Sequence, residues 1–164
     1  MKFETTRFGQ IDVKAEDIII FPDGPLGFPE CTRFTLVTDE RSHPFKMLQS
    51  LDKSALAFVI IDPLITRTDY HFNVTKDDLK NIKATTTDGL EVYAIVTMSD
   101  KMEEVTVNLQ GPLVINTITR LGHQFVLVNE GYSTTEKLLQ ESHVHELQKE
   151  STVASEEDKQ KKAM

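Results

Sequence analysis

The chain has 164 residues, 39% hydrophobic and 27% charged, which suits one globular domain with an appendage. A formal net charge of −8 repels phosphate backbones, so direct nucleic-acid binding is disfavoured and a basic protein partner is favoured. The single cysteine, Cys31, excludes an intrachain disulfide, and no Cys/His cluster has zinc spacing.

Short β-type runs recur from the start, with turn signals between them. Lys2 to Thr5 leads through Phe8-Gly9-Gln10 to Ile11 and Val13. Ile18 to Phe21 follows and is stopped by the Pro/Gly stretch FPDGPLGF, Phe21 to Phe28. Phe34 to Val37 and Phe45 to Leu48 are the next runs. Leu56 to Ile61 is almost continuously apolar and is closed by Asp62-Pro63, the pattern of a strand buried on both faces. Tyr70, Phe72 and Val74 alternate with polar neighbours, which predicts a half-buried strand.

Thr75-Lys76-Asp77-Asp78-Leu79 reads as a helix start. Thr75 can cap it, and the two aspartates suit the positive end of the helix dipole. The run Thr85 to Gly89 ends that helix. Leu90 to Met98 alternates as a long strand, as does Val105 to Leu109 after the charged turn Asp100 to Glu104. Leu113 to Ile115 and Phe125 to Val128 are two further apolar runs.

Strands therefore outnumber helices, without long βαβ alternation. The expected class is mainly β, an antiparallel barrel or sandwich with a short helix. The character changes near Gly131. TTEKLLQESHVHELQKE, from Thr134, predicts a helix with a thin apolar stripe, and STVASEEDKQKKAM, from Ser151, predicts a mobile polar tail. The organisation expected is a β domain over 1–132, a C-terminal helix over 133–150 and the tail over 151–164. From Ser133 onward seven acids and five bases give −2, so the body carries −6 of the total −8.

Candidate chemistry is sparse. FPDGPLGF lacks both phosphate-loop spacings and no helix follows it, so it reads as a buried structural turn, with a ligand or partner contact as the alternative. Pro22 removes a ladder donor, and Gly24 and Gly27 admit positive φ. His143 and His145 lie two apart and fall on different faces of a helix. His43, His71 and His123 are isolated in loops or on an edge. Cys31 has no neighbouring His, and no serine elbow is present. No catalytic residue, metal or cofactor is expected. The opening segment lacks the apolar stretch of a signal peptide, and no later segment is long enough to cross a bilayer, so a cytoplasmic location and no membrane partner are expected.

Taken together, several segments resemble the flagellar assembly factor FliW family. They are Thr6-Arg7-Phe8-Gly9, Ile20 to Phe28, Phe45-Lys46-Met47-Leu48-Gln49-Ser50, Phe58 to Pro63, NLQGPLVIN from Asn108 to Asn116, and Gly122-His123-Gln124-Phe125-Val126-Leu127. Their order and spacing match over about residues 3 to 130, and Gly111 stands where the family often has alanine. The resemblance implies a compact barrel-like β fold and a non-enzymatic regulator. Such a regulator binds flagellin and the RNA-binding translational repressor CsrA. Binding CsrA relieves repression of flagellin synthesis, and free flagellin competes for the factor and restores it.

The residues suit that role. A repressor that holds RNA must be basic and this chain is acidic, so charge would steer their encounter. Glu136, Glu141 and Glu146, on the expected C-terminal helix, are candidate steering charges. An amphipathic flagellin helix calls for an apolar groove or a sheet edge. Ile65, after the Asp62-Pro63-Leu64 turn, is the candidate exposed contact, with a core or hairpin role as its alternative. The competing class of function is a small-ligand or catalytic β-barrel with a site assembled from distant residues. A large apolar pocket with converging polar groups would favour it.

Residues 151–164 carry almost no apolar surface to bury. Truncation after Glu150 is expected to leave a single cooperative thermal transition with an unchanged midpoint. A large drop in that midpoint would mean that the tail docks on the body.

Overall fold

The computed structural model describes residues 1–139. A hairpin of β1 (Lys2–Thr5) and β2 (Gly9–Asp12) stands apart from the main sheet. The rest comprises β3 (Ile19–Ile20), β4 (Arg33–Val37), β5 (Lys46–Ser50), β6 (Ala57–Ile61), β7 (Leu90–Thr97), β8 (Thr106–Asn116), β9 (Leu121–Gln124) and β10 (Glu136–Lys137). The one-turn helix α1 (Pro63–Thr66) and the short helix α2 (Lys76–Asn81) lie between β6 and β7. Strands pair in the order β8-β7-β6-β5-β4-β3-β9, and β9 pairs back onto β8, closing a seven-stranded barrel. All these pairings are antiparallel except β3 with β9, which meet in parallel at Ile20 and Leu121. The mainly β class read from the strand pattern is the class observed, and of barrel and sandwich it is the barrel-like form that the resemblance implied.

Strand alternation divides the apolar residues into two groups. Ile19, Phe34, Leu48, Ile60, Tyr93, Leu113 and Ile115 form one cluster, drawn from each strand between β3 and β8, and it fills the barrel. Their neighbours of opposite parity, Ile61, Ala94, Val96, Val107 and Val114, form the second. That cluster lies under the segments carrying Tyr70, Ile82, Phe125, Leu127 and Leu138. Leu113, Val114 and Ile115 are all buried because β8 is covered on both faces. Leu56 to Ile61 reaches that state only at its end, where Ile60 and Ile61 are buried.

FPDGPLGF is a pair of consecutive turns. Gly24 N–H donates to Phe21 O at 2.9 Å and Phe28 N–H donates to Pro25 O at 2.8 Å. Phe21 and Pro25 are buried, and Phe21 lies edge-on to Phe34 with ring centres 5.4 Å apart. The Phe21 ring also lies against the backbone of Gly122, where an added Cβ would come within 2.5 Å of it.

Two expected elements differ. Tyr70 to Val74 keeps the expected alternation of burial but joins no ladder; it crosses the outer face of the barrel, and its tyrosine and phenylalanine pack downward. The helix expected over 133–150 does not begin at its expected start. Glu136 and Lys137 instead pair as β10 with Val107 and Thr106 of β8, because the edge of β8 offers them ladder partners and Leu138 fills the outer core. Residues 140–150 of the expected helix span and the tail over 151–164 lie outside the described residues. α2 starts as its sequence suggests: Thr75 and Asp78 exchange side-chain-to-backbone hydrogen bonds of 3.1 and 3.0 Å in a capping box.

Gly24 and Gly27 have φ of +67° and +88°, but only Gly24 is also crowded, an added Cβ falling 2.2 Å from Phe28 O. Gly27→Ala is therefore expected to cost about 1 kcal/mol, from backbone strain alone. Gly24→Ala is expected to cost about 3 kcal/mol, since strain and a backbone clash add. Denaturant titration of the two variants checks the order; equal losses would refute the steric part.

Candidate functional site

The longest strand controls the surface. Between the pairs Tyr93↔Leu113 and Ile95↔Asn108, β7 has one residue and β8 has four, so Leu109 to Pro112 bulge out of the ladder. Asn108 Oδ1 accepts from Gln110 N–H at 3.1 Å and Gly111 N–H at 2.9 Å. The outward carbonyls are taken by Tyr70 Oη, Leu127 N–H, Gln124 Nε2 and Phe125 N–H. The bulge thereby fixes the segments that flank the barrel on this side.

One of those segments walls a groove of about 710 Å³ at the end of the barrel where β6 runs out into α1. Asp62 caps α1 by accepting Leu64 N–H at 3.0 Å, and Pro63 occupies the first helical position. Leu64 and Ile65 on this turn are about half exposed, at 49% and 48%. Pro44, Tyr70, Phe72, Leu90 and Val92 line the groove. Part of its polar lining is a chain of three: Tyr93 Oη donates to Glu91 at 2.6 Å, and Lys46 Nζ donates to Tyr93 Oη at 3.4 Å. Burial first, and then the bond to Glu91, push the Tyr93 hydroxyl well above its usual range, so it stays protonated. The chain is satisfied internally, and His43, Asp62 and His71 also line the groove.

The far wall is tied to the C-terminal strand. Arg67, which follows α1, holds Asp69 through two hydrogen bonds of 3.0 and 3.1 Å. These bonds chiefly hold the Asp69 carboxyl below its usual range. Arg67 also lies 3.9 Å from Glu136 and 5.6 Å from the centre of the Tyr132 ring. Tyr132 Oη accepts from His71 N–H and donates to His71 O, both at 3.1 Å, and its ring packs 4.6 Å from that of Tyr70.

Of the residues singled out from sequence, Ile65 lies at the groove rim. Glu136 is a strand residue with a side chain 21% exposed and ion-paired to Arg67, so it is not a free charge on a helix face. Glu141 and Glu146 lie outside the described residues. Leu64 was not singled out, although its place beside Ile65 after Asp62-Pro63 was a usable signal. Lys46, Glu91 and Tyr93 come from two strands far apart in sequence, and no local pattern joins them. Among the described residues no group of three or more His, Cys, Asp and Glu is placed to hold a metal ion. No helix among them is long and apolar enough to cross a membrane.

Tyr132→Phe removes both bonds to the His71 backbone. The expected cost is about 0.5–1.5 kcal/mol, with faster hydrogen exchange at the His71 amide. Unchanged exchange there would show that the groove wall does not depend on this joint.

Residues 2–138 match the family model described as FliW protein. The flagellar assembly factor FliW of Alkaliphilus metalliredigens is 36% identical over 156 residues, covering 94% of this chain and 95% of that protein. The flagellar assembly factor FliW of Geobacter sulfurreducens is 40% identical over 134 residues, covering 82% and 84%. A crystal structure of the flagellar assembly factor FliW superposes with a TM-score of 0.81 at 35% identity, covering 86% of this chain and 99% of that one.

Proposed function

We propose, since this chain belongs to the FliW family of flagellar assembly factors, that it binds flagellin and antagonises CsrA by direct protein–protein contact without catalysing a reaction. The observation that carries the reading is the groove beside α1. Leu64 and Ile65 are half exposed on a rigid, capped turn at the rim of an apolar trough. A trough of this kind suits one face of an amphipathic helix, which is what the terminal segments of flagellin would offer. The cluster that fills the barrel, with Phe34, Leu48, Ile60 and Leu113 at 0% exposure, supports this reading over that of a small-ligand or catalytic barrel.

CsrA would be met by charge. The body before Ser133 carries −6, and a protein that grips RNA is basic. Glu141 and Glu146 remain proposed steering charges. Glu136 contributes less, because Arg67 already neutralises it. With repressor held by this chain, flagellin messages are translated; when free flagellin occupies the chain, repressor is released. The site of action would be the cytoplasm, where the messages are.

The test is binding kinetics of the full chain with flagellin and with CsrA, each alone and then together, across a salt series. Rising salt is expected to slow CsrA association while flagellin changes little, since the screening length falls to about 10 Å at 0.1 M. Ile65→Asp is expected to weaken flagellin by about tenfold or more and to leave CsrA association and Tm unchanged. Flagellin bound equally well by Ile65→Asp would remove the groove from the account.

A further inference from the structure

Between β9 and β10 the chain keeps company with β8. Phe125 N–H donates to Pro112 O at 2.9 Å and Leu127 N–H donates to Gln110 O at 2.8 Å, so every second amide faces the bulge. Phe125 and Leu127 are buried, while Val126 and Val128 are 55% and 69% exposed. The intervening amides point the other way. Among the described residues Val126 and Val128 N–H donate to nothing, and no carbonyl from Phe125 to Val128 accepts a hydrogen bond.

Beyond the end of β9 this is an extended stretch bonded to β8 on one side only, so its other side is an open edge with two valines on it. Proteins commonly guard such an edge with lysine, proline or a covering loop, and none of these residues is lysine or proline. What borders it is acid. A shallow cleft of about 200 Å³ brings Val126 and Val128 together with Asn73, Asp78, His123 and Glu130. Glu130 is exposed and forms no ion pair among the described residues. Asp23 stands 3.9 Å from His123 Nδ1 at the other end.

We propose that the edge Phe125–Val128 is a docking site for an extended segment of a basic protein, which adds to it as a further strand. Main-chain hydrogen bonds to Val126 and Val128 would supply affinity, and Lys or Arg side chains of the incoming strand would reach Asp78 and Glu130. Nucleic acid is disfavoured by those carboxylates. A second copy of this chain would bring its own Asp78 and Glu130 to the same edge, like charge against like. The proposal takes from the functional reading only that a partner is basic, and it stands whether or not that partner is CsrA.

The probe is a short capped peptide of alternating lysine and valine, titrated into the isotopically labelled full chain and followed by amide shifts and hydrogen exchange. In the free protein Val126 and Val128 amides are expected to exchange fast. Slow exchange in the free protein would show the edge already taken, by the chain itself or, where protection grows with concentration, by a second copy, and would overturn the proposal. On adding peptide, these amides are expected to shift and become protected. Val126→Pro removes one outward donor that has no partner in the described fold, and is expected to weaken the peptide about tenfold. The double variant Val126→Lys, Val128→Lys keeps every backbone bond, guarding against a fold defect in the proline variant, and should lose binding likewise. Glu130→Lys should weaken it mainly at low salt. Wild-type affinity in both edge variants, or shifts centred on Ile65, would overturn the proposal. Intact CsrA and flagellin binding by the edge variants would leave the functional reading standing while refuting this one.

Discussion

A four-residue bulge in a strand that closes a barrel leaves seven backbone groups without ladder partners, and the structure satisfies all of them. The three donors go to Asn108 Oδ1, which takes two, and to Ser133 O, which takes Leu109 N–H. Pro112 has no donor to place, which is why proline is tolerated inside this strand. The four carbonyls go to Tyr70, Leu127, Gln124 and Phe125. A buried amide or carbonyl left unpaired costs about 1–3 kcal/mol, so the arrangement is close to obligatory once the bulge exists. Gln124 extends it further: with Nε2 on Gly111 O, its Oε1 accepts Leu26 N–H at 2.8 Å. One buried side-chain amide thus fastens the turn Phe21–Phe28 to the bulge and to β9.

The surfaces available to partners descend from the same bulge. Tyr70 donates into it and is thereby held against Tyr132, so the wall of the groove has its position set from below. Phe125 and Leu127 also donate into it, which turns the neighbouring amides outward and makes an edge. A regular ladder at this point would have kept β8 pairing evenly with its neighbour. The irregular stretch gives up those pairings and gains two fixed, differently shaped surfaces on one side of a rigid core.

Much of the fold was legible because period-2 burial is written into the strands, and because Pro, Gly and capping residues mark their ends. The resemblance carried by FPDGPLGF, NLQGPLVIN and GHQF was also legible, and its physical basis is now visible: these segments meet at Gln124. What could not be read was long-range. Val105–Leu109 and Leu113–Ile115 look like separate runs because the Gly111-Pro112 dipeptide reads as a break, whereas side chains and amides from elsewhere in the chain let one strand pass through it. Tyr70–Val74 alternates as a strand would, yet alternation reports only which side faces the core, not whether a neighbour supplies hydrogen bonds. At Glu136 the local propensity is helical, and the free edge of β8 overrides it. The exposed place of Ile65 was legible from the Asp62-Pro63 turn, while the Lys46–Tyr93–Glu91 chain depends on strand register that no local pattern encodes.

The two surfaces differ in the physics by which they would hold a ligand. The groove is mostly apolar, its Lys46–Tyr93–Glu91 chain is closed on itself, and its rim residues sit on a capped turn whose conformation is already paid for. Affinity there would grow with buried area and be nearly blind to salt. At the edge little side-chain area is on offer beyond two valines, and main-chain donors and nearby carboxylates take its place. Affinity there would depend on a partner able to lie extended and to bring positive charge, and would weaken as salt rises. Arg67 and Tyr132 join the groove wall to the segment that continues from the edge into β10. The chain between Phe125 and Glu136 therefore belongs to both surfaces, and neither can shift far without moving residues that fix the other.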